Sequence, residues 1–277
     1  MRLVRAELLK IRTINIWWIF ALISLPLWGI TLFINYISSQ FLVDPASVGA
    51  PEPTPEQAAQ LAVAADPLNI AANLYTNGQL LGLLIVMLLG VIVVTSEFAH
   101  QTATTTFLTT PHRTAVVLGK LVAAALLGVL FWLVTTALNL IVTPLMLDGF
   151  GLGNQLDQSA VWQAILLNGL AYLLWAIFGV GFGVLIRSQI GATVTGILLY
   201  LAGYIGAGIF LSQLAQRFGD WINNLQLLVP SLASQLMTTG TDLPGTPPRW
   251  SGAVVMIGYA VVTGVIGTLI MRKRDIS

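Results

Sequence analysis

Six long apolar segments constrain what this sequence can fold into. They run at about residues 17–37, 80–96, 115–143, 160–186, 190–211 and 251–271. A helix needs about 20 apolar residues to cross a bilayer, and none of the segments has a charge near its middle. Only 8% of the residues are charged, against about 25% in a soluble domain. We therefore predict an all-α polytopic membrane protein with six transmembrane helices in a single domain, 1–277.

The basic residues predict which ends of these helices face the cytoplasm. With the N-terminus inside, six spans return the C-terminus to the same side, and ten of the 12 lysines and arginines then lie there. Those ten are Arg2, Arg5, Lys10, Arg12, Arg113, Lys120, Arg187, Arg272, Lys273 and Arg274. Only Arg217 and Arg249 fall outside, and such a bias in short loops sets membrane topology. We expect both termini to be cytoplasmic, and the first segment, which lacks a signal-peptide cleavage site, to be retained.

The first 15 residues predict a helix that lies along the inner membrane surface. Val4, Leu8 and Ile11 form a narrow apolar stripe, with arginines grouped to one side of it. This pattern is typical of a basic helix at anionic lipid headgroups. The alternative is that residues 1–15 are only the charged start of the first span.

Two extracytoplasmic loops are predicted, at residues 38–79 and 212–250. In the first, Thr54 and Pro55 indicate the start of a helix, and the loop is too small for a substrate-binding domain. The second has apolar residues at helical spacing, which favours an amphipathic helix broken near Pro230. That helix would rest on the outer leaflet or cap the bundle, and a role as an outer gate is the alternative.

The apolar spans carry polar side chains, but these are uncharged. They are Ser24, Asn35, Thr135, Thr136, Asn139, Gln163 and Asn168. Such groups hydrogen-bond between helices or contact a polar cargo, whereas ion-coupled carriers usually keep ionisable residues at this depth. Glycines at positions 179 and 183 have the spacing that permits close helix approach, and a subunit interface through the fifth span is a further option.

No nucleotide, metal or nucleophile site is complete in the sequence. The pair Gly119-Lys120 lacks the remaining residues of a phosphate-binding loop, and the absence of cysteine excludes thiolate chemistry. A metal site built from Glu97, His100 and His112 is the alternative for the polar loop, although its spacing matches no common zinc motif. We therefore expect no cofactor in this chain, no enzyme activity of its own, and a partner that supplies energy from the cytoplasmic side.

That polar loop, "TSEFAHQTATTTFLTTPHR" at residues 95–113, predicts a helix, a break and a second helix. Its threonines are weak helix formers, so the first helix would need support from packing. Pro111 ends it and opens the third span, with Thr110 as the N-cap. Arg113 and Lys120, seven residues apart, would extend their charges to the membrane surface from one helix face.

The stretch "EFAHQTATTTFLTTPHRTAVVLGKL" resembles the loop between the second and third spans of permease subunits of type 2 ABC exporters. The opening "RAELLKIRT" likewise looks like the N-terminal connector helix of that family. The family pattern has an acid, a Gly-Thr pair, a Leu-rich turn, a Pro and then basic residues. Gln101 stands here where the family often has Gly.

The resemblance implies a half-transporter of a bacterial cytoplasmic membrane. Two such subunits, identical or different, would associate with two copies of a cytoplasmic ATPase that binds ATP and Mg²⁺, and no nucleic-acid partner is implied. The ATPase-coupling residues carried over are Glu97, Phe98, Thr102, Phe107, Leu108, Pro111 and Arg113. The connector-helix residues are Arg2, Arg5, Glu7, Lys10 and Arg12. The cargo is not implied, and a motor-free pore or lipid scramblase is the alternative function.

Glu97 is the only acid of its loop, which leads to one further expectation. We expect it to pair with Arg2, Arg5 or Arg12 of the N-terminal helix. The alternative is that Glu97 is a solvated residue at a helix end.

Overall fold

The computed structural model describes residues 2–13, 16–45, 55–99, 113–186, 188–242 and 246–273. Within these ranges the chain forms helices and turns, without a β-strand. Six of the described helices are long and apolar enough to cross a membrane. We call them the first to sixth spans: Ile16–Val43, Leu81–Ala99, Arg113–Gly149, Ser159–Leu185, Gln189–Phe218 and Arg249–Lys273. The predicted fold class, an all-α chain with six spans, is confirmed.

Several spans are longer than the apolar segments that predicted them. The first continues to Val43, the third to Gly149 and the fifth to Phe218. Apolar length marks only the part that lies in hydrocarbon, whereas a helix continues wherever its backbone bonds remain satisfied. The extra turns carry polar residues, including Ser38 and Ser39 of the first span.

The second and fourth spans form the centre of the bundle. Their most apolar windows are 78% and 61% buried, against 11% for the first span and 17% for the fifth. Glycines bring the two central helices together, as the spacing of Gly179 and Gly183 predicts. A Cβ atom on Gly179 would collide with the carbonyl oxygen of Met87, and one on Gly183 would lie 2.9 Å from that of Val91. This close approach is therefore made within the chain.

Two short helices, Pro55–Ala64 and Pro67–Tyr75, connect the first two spans. The first begins at the predicted Pro55. The second was not predicted, although Asp66 before Pro67 is a helix-start signal, and its carboxylate accepts a hydrogen bond from the Leu68 amide at 2.8 Å. Its inner face is buried against Leu147 of the third span and the start of the fourth span. The loop is thus partly built into the bundle.

The predicted amphipathic helix after residue 212 is wrong as a single element. The fifth span passes through a π-helical turn, Ala202–Ala207, and ends at Phe218 because Gly219 adopts φ 104°. A 3₁₀ run, Asp220–Leu228, follows, and a helix then begins at the predicted break, Pro230, and ends at Met237. A positive φ at the residue after a helix is a stop signal that glycine supplies without strain.

We predict that Gly179→Ala destabilises the protein, whereas Gly258→Ala does not. The added methyl group at position 179 would force the second and fourth spans apart, at a cost of about 2 kcal/mol. A Cβ atom at Gly258 meets nothing within 4 Å, and alanine there gains up to about 1 kcal/mol of helix propensity. The apparent melting temperatures of the purified variants test this. A Gly179→Ala protein that melts at or above the wild-type temperature would contradict the packing described here.

Candidate functional site

The N-terminal helix, Arg2–Thr13, packs against the beginning of the third span. Leu3 lies next to Gly119: a Cβ atom on Gly119 would be 3.4 Å from the Cβ atom of Leu3, which is an ordinary van der Waals contact. Glu7 and Lys10, one turn apart, share the helix face that points into the protein. Arg5 and Arg12 are seven residues apart on the opposite face and are exposed. The helix therefore presents one acid and one base to the bundle.

Those two residues meet an acid and a base from the spans. Glu97 comes from the last turn of the second span, and Lys120 from the second turn of the third. The Lys120 ammonium contacts Oε2 of Glu7 at 2.9 Å and Oε1 of Glu97 at 2.8 Å. Lys10 contacts Oε1 of Glu7 at 3.2 Å and also bonds Glu97. We call Glu7, Lys10, Glu97 and Lys120 the charge cluster.

The charge cluster is nearly excluded from solvent. Its side chains are 1% exposed for Lys120, 2% for Glu97, 7% for Glu7 and 30% for Lys10. Two acids and two bases sum to no net charge, which is the condition under which burial is tolerated. Removing one member would leave a buried charge without its counter-charge at low dielectric, so the stability of each member depends on the others. The cluster joins the N-terminal helix to both ends of the segment between residues 97 and 120.

Lys10 is the outermost member, and its protonation is favoured. Burial disfavours its charged form, but the hydrogen bond to Glu97 and the charges of Glu97 and Glu7 outweigh this and raise the pKa of Lys10. A raised pKa means that this contribution to stability is present below the ordinary value of 10.5 and is lost as pH rises through the folded-state pKa. Lys10 is therefore charged throughout the neutral range.

Two expectations about this region need correction. Glu97 does pair with the N-terminal helix, but through Lys10, because Arg5 and Arg12 lie on the exposed face. Lys120 does not extend to the membrane surface, because two carboxylates already satisfy its charge inside the protein. The signal for Lys120 was present in the sequence, since a lysine eight residues into an apolar helix requires an acidic partner.

Much of the predicted coupling loop lies outside the described residues. Those positions are His100, Thr102, Phe107, Leu108, Pro111 and His112, together with the side chains of Arg2 and Arg113. Phe98 is described, and it is partly buried against the main core. No group of three metal-ligating residues occurs within the described ranges, and the Glu97 carboxylate bonds two ammonium groups.

A second polar assembly lies at the other end of the second span, around the turn at residues 76–80. Asn139 of the third span is fully buried and donates to the carbonyls of Tyr75 at 3.0 Å and Asn77 at 3.1 Å. Its own carbonyl accepts from the indole of Trp28 at 2.7 Å. A single side chain thus satisfies the backbone where the helix is interrupted, and ties the turn to the first span.

The other predicted polar residues differ in what they contact. Asn35 donates to Asn77 at 3.0 Å, and Asn168 accepts from Gln79 at 2.6 Å. Thr135 bonds carbonyls of its own helix, and Gln163 is exposed. Ser24 bonds its own helix at the carbonyl of Ala21, and the hydroxyl of Thr136 is buried without a partner.

Sequence reasoning missed Asn77 and Gln79, which organise the turn. Gln79 also accepts from Ser234 at 3.1 Å, and its backbone carbonyl accepts from Tyr200 at 2.6 Å. The dipeptide Asn77-Gly78 is a common turn signal and could have indicated an interruption before the second span. What it could not indicate is which distant side chains would satisfy that turn.

These features define a polytopic α-helical membrane protein with a balanced charge cluster at one end of its central helix and an amide-rich turn at the other. The chain belongs to the family described as "Protein of unknown function (DUF2705)", whose model matches residues 56–277. No curated protein matches the chain. The matched region contains Glu97 and Lys120 but begins after the N-terminal helix.

We predict that Lys120→Met destabilises the protein by about 3 kcal/mol, because it leaves Glu7 and Glu97 with one base between them. The double variant Lys120→Met/Glu7→Gln restores charge balance through Lys10 and Glu97 and should recover much of the loss. Arg12→Met, on the exposed face, is the control and should change stability by less than about 0.5 kcal/mol. Thermal unfolding of the purified proteins measures all three. Equal melting of the single and double variants would show that charge balance is not what stabilises this region.

Proposed function

We propose that this chain is the membrane-spanning permease subunit of an ATP-driven ABC exporter in a bacterial cytoplasmic membrane. A separate ATPase would engage the loop at residues 97–113, and two permease subunits would line the cargo pathway. The observation that carries the proposal is the charge cluster, which joins the N-terminal helix to both flanks of that loop. The resemblance of the loop and of the N-terminal helix to those of type 2 exporters supports the same function.

The charge cluster provides the physical basis for transmitting a movement of the loop. Glu97 and Lys120 lie just before and just after it, and Glu7 and Lys10 bridge them. Separating any one of the three helices from the others would expose a buried charge without its partner, which is costly. The three helices are therefore expected to move together when a partner displaces the loop.

The polar residues at the turn before the second span also fit a chain that depends on a partner for energy. The side chains that meet at the turn before the second span are amides, hydroxyls and aromatic rings. Primary and secondary pumps need a nucleotide site or an ionisable relay at membrane depth. A partner ATPase would meet this need. A motor-free pore or lipid scramblase, the second candidate, would need neither.

We predict that the tagged wild-type chain, extracted from its native membrane in mild detergent, co-purifies with a nucleotide-binding ATPase. Leu108→Asp places a charge in the proposed contact and should lower the recovered ATPase by about tenfold or more. Leu228→Asp is the matched control, because Leu228 is 67% exposed and lies in the outer loop; it should retain the partner. Recovery is measured by quantitative mass spectrometry and by ATP hydrolysis of the eluate.

Two results would count against the exporter. One is a wild-type preparation without any ATPase, and the other is equal recovery with both aspartate variants. If the purified chain in liposomes then gave flux without ATP, the motor-free pore or scramblase would replace the exporter as the proposed function.

We also propose that both termini are cytoplasmic, and cysteine labelling tests this cleanly because the chain contains no cysteine. Arg5 and Asn224 are exposed and lie on opposite sides in the proposed topology. A membrane-impermeant maleimide should label Asn224→Cys in intact cells and Arg5→Cys only after permeabilisation. The reverse pattern would invert the topology and place the loop at residues 97–113 beyond the reach of a cytoplasmic ATPase.

A further inference from the structure

A cavity of about 430 Å³ lies beside the turn at residues 76–80. The part of the first span from Thr31 to Leu42 forms one side, and the helices Pro67–Tyr75 and Pro230–Met237 contribute to the others. Tyr204 of the fifth span closes part of the wall. A volume of this size is within the range of small-molecule binding sites, about 300–1,000 Å³.

Amide side chains make up much of the wall. They are Asn35, Asn69, Asn73, Asn77, Gln79 and Gln235. Hydroxyl groups add to them, notably Thr31, Ser38 and Ser39 of the first span. Among the lining residues in the part of the chain that the structure describes, none is acidic or basic. Recognition here would therefore depend on paired hydrogen-bond donors and acceptors, without a counter-charge.

The polar face of the first span is directed at the cavity. Thr31, Asn35 and Ser38 follow one another at three- and four-residue steps, the spacing of a single helix face. Phe33 and Ile37 on the other side are 65% and 39% exposed, as suits contact with lipid. A polar stripe on a membrane helix is costly unless its groups are satisfied by protein, water or a ligand.

Part of this wall is held in place before any ligand binds. The side-chain amide of Asn35 donates to the side-chain oxygen Oδ1 of Asn77 at 3.0 Å, and the side-chain Nδ2 of Asn77 donates to the backbone carbonyl of Trp28 at 3.2 Å. Asn69 donates to Thr241 and accepts from its backbone amide, which fixes the short helix Pro67–Tyr75 against the outer loop. Fixed donors and acceptors lose little entropy on binding and give specificity.

The chemistry of the wall selects the kind of ligand. A phosphate, carboxylate or ammonium group would lose hydration on entry and find no opposite charge. A polyhydroxylated group offers donors and acceptors together, which is what amides and hydroxyls pair with. Ile34, Leu42 and the Tyr204 ring supply apolar surface for the carbon face of a sugar. We propose that this cavity binds a neutral, hydroxyl-rich group, a monosaccharide or the sugar headgroup of a glycolipid.

Binding of a sugar to this cavity does not require an ATPase partner. The test uses the full chain in phosphatidylcholine nanodiscs prepared without sugar-based detergents, and empty nanodiscs correct for partition into lipid. Radiolabelled octyl glucoside should bind saturably, and about tenfold more tightly than octyl phosphocholine, octyl sulfate or octyltrimethylammonium, which carry the same chain. Equal affinity for all four probes would overturn the proposal.

Variants locate the binding. Ser38→Leu/Asn73→Leu replaces two wall groups and should weaken octyl glucoside binding by about tenfold. Ser212→Leu/Asn224→Leu makes the same changes at exposed positions outside the cavity and should bind as wild type does. If the leucine pair at the wall fails to fold, Ser38→Ala/Asn73→Ala replaces it in the same assay. Unchanged binding by a folded wall variant would overturn the assignment.

Two further probes distinguish the source of the ligand. Competition by methyl glucoside would indicate a sugar that enters from the aqueous phase. Competition by glucosyl diacylglycerol, but not by methyl glucoside, would indicate a glycolipid taken from the bilayer. Either result supports a neutral sugar site, and neither depends on ATP, so a failed exporter assignment and a failed sugar site would be separately visible.

Discussion

The structure depends on one constraint, which is that the hydrocarbon of a bilayer offers no water to an unpaired polar group. Helices satisfy the backbone within each span, and the exceptions need side chains from elsewhere. At the turn before the second span, Asn139 and Tyr200 supply those bonds. At the other end of the same span, Glu97 is balanced by two lysines. Both assemblies satisfy buried polar groups, one with hydrogen bonds to backbone carbonyls and the other with ion pairs.

The choice of lysine in the charge cluster follows from geometry. An ammonium group has three donors on a compact centre, and Lys120 faces three acceptors: Glu7 at 2.9 Å, Glu97 at 2.8 Å and the carbonyl of Val93 at 3.5 Å. A planar guanidinium directs its donors into a fork and is larger. The two arginines of the N-terminal helix whose side chains the structure describes, Arg5 and Arg12, are correspondingly left on its exposed face. On the N-terminal helix, the buried face that pairs with the spans therefore carries lysine, and the surface face carries arginine.

The sequence was sufficient for the features that follow from local chemistry. Span number follows from apolar length, and the helix start at Pro55 and the close approach at Gly179 follow from residues only a few positions apart. The partners of Glu97 and Asn139 did not follow, because they lie 23 to 111 residues away along the chain. Only the packing of the second span against its neighbours brings them together. Burial of a polar residue can be anticipated from sequence, but the identity of its partner depends on the tertiary fold.

The second span connects the two assemblies. Its 19 residues form a helix of about 28 Å, and its glycine contacts with the fourth span leave little room for bending. A displacement applied at Glu97 would then be carried as a rigid shift to Gln79 and Asn77. The Asn77 side chain bonds Asn35 of the first span. Only 11% of the most apolar window of that span is buried, so the first span is the less firmly held of the two helices. Because these same residues line the cavity, such a shift would change the shape of the proposed sugar site.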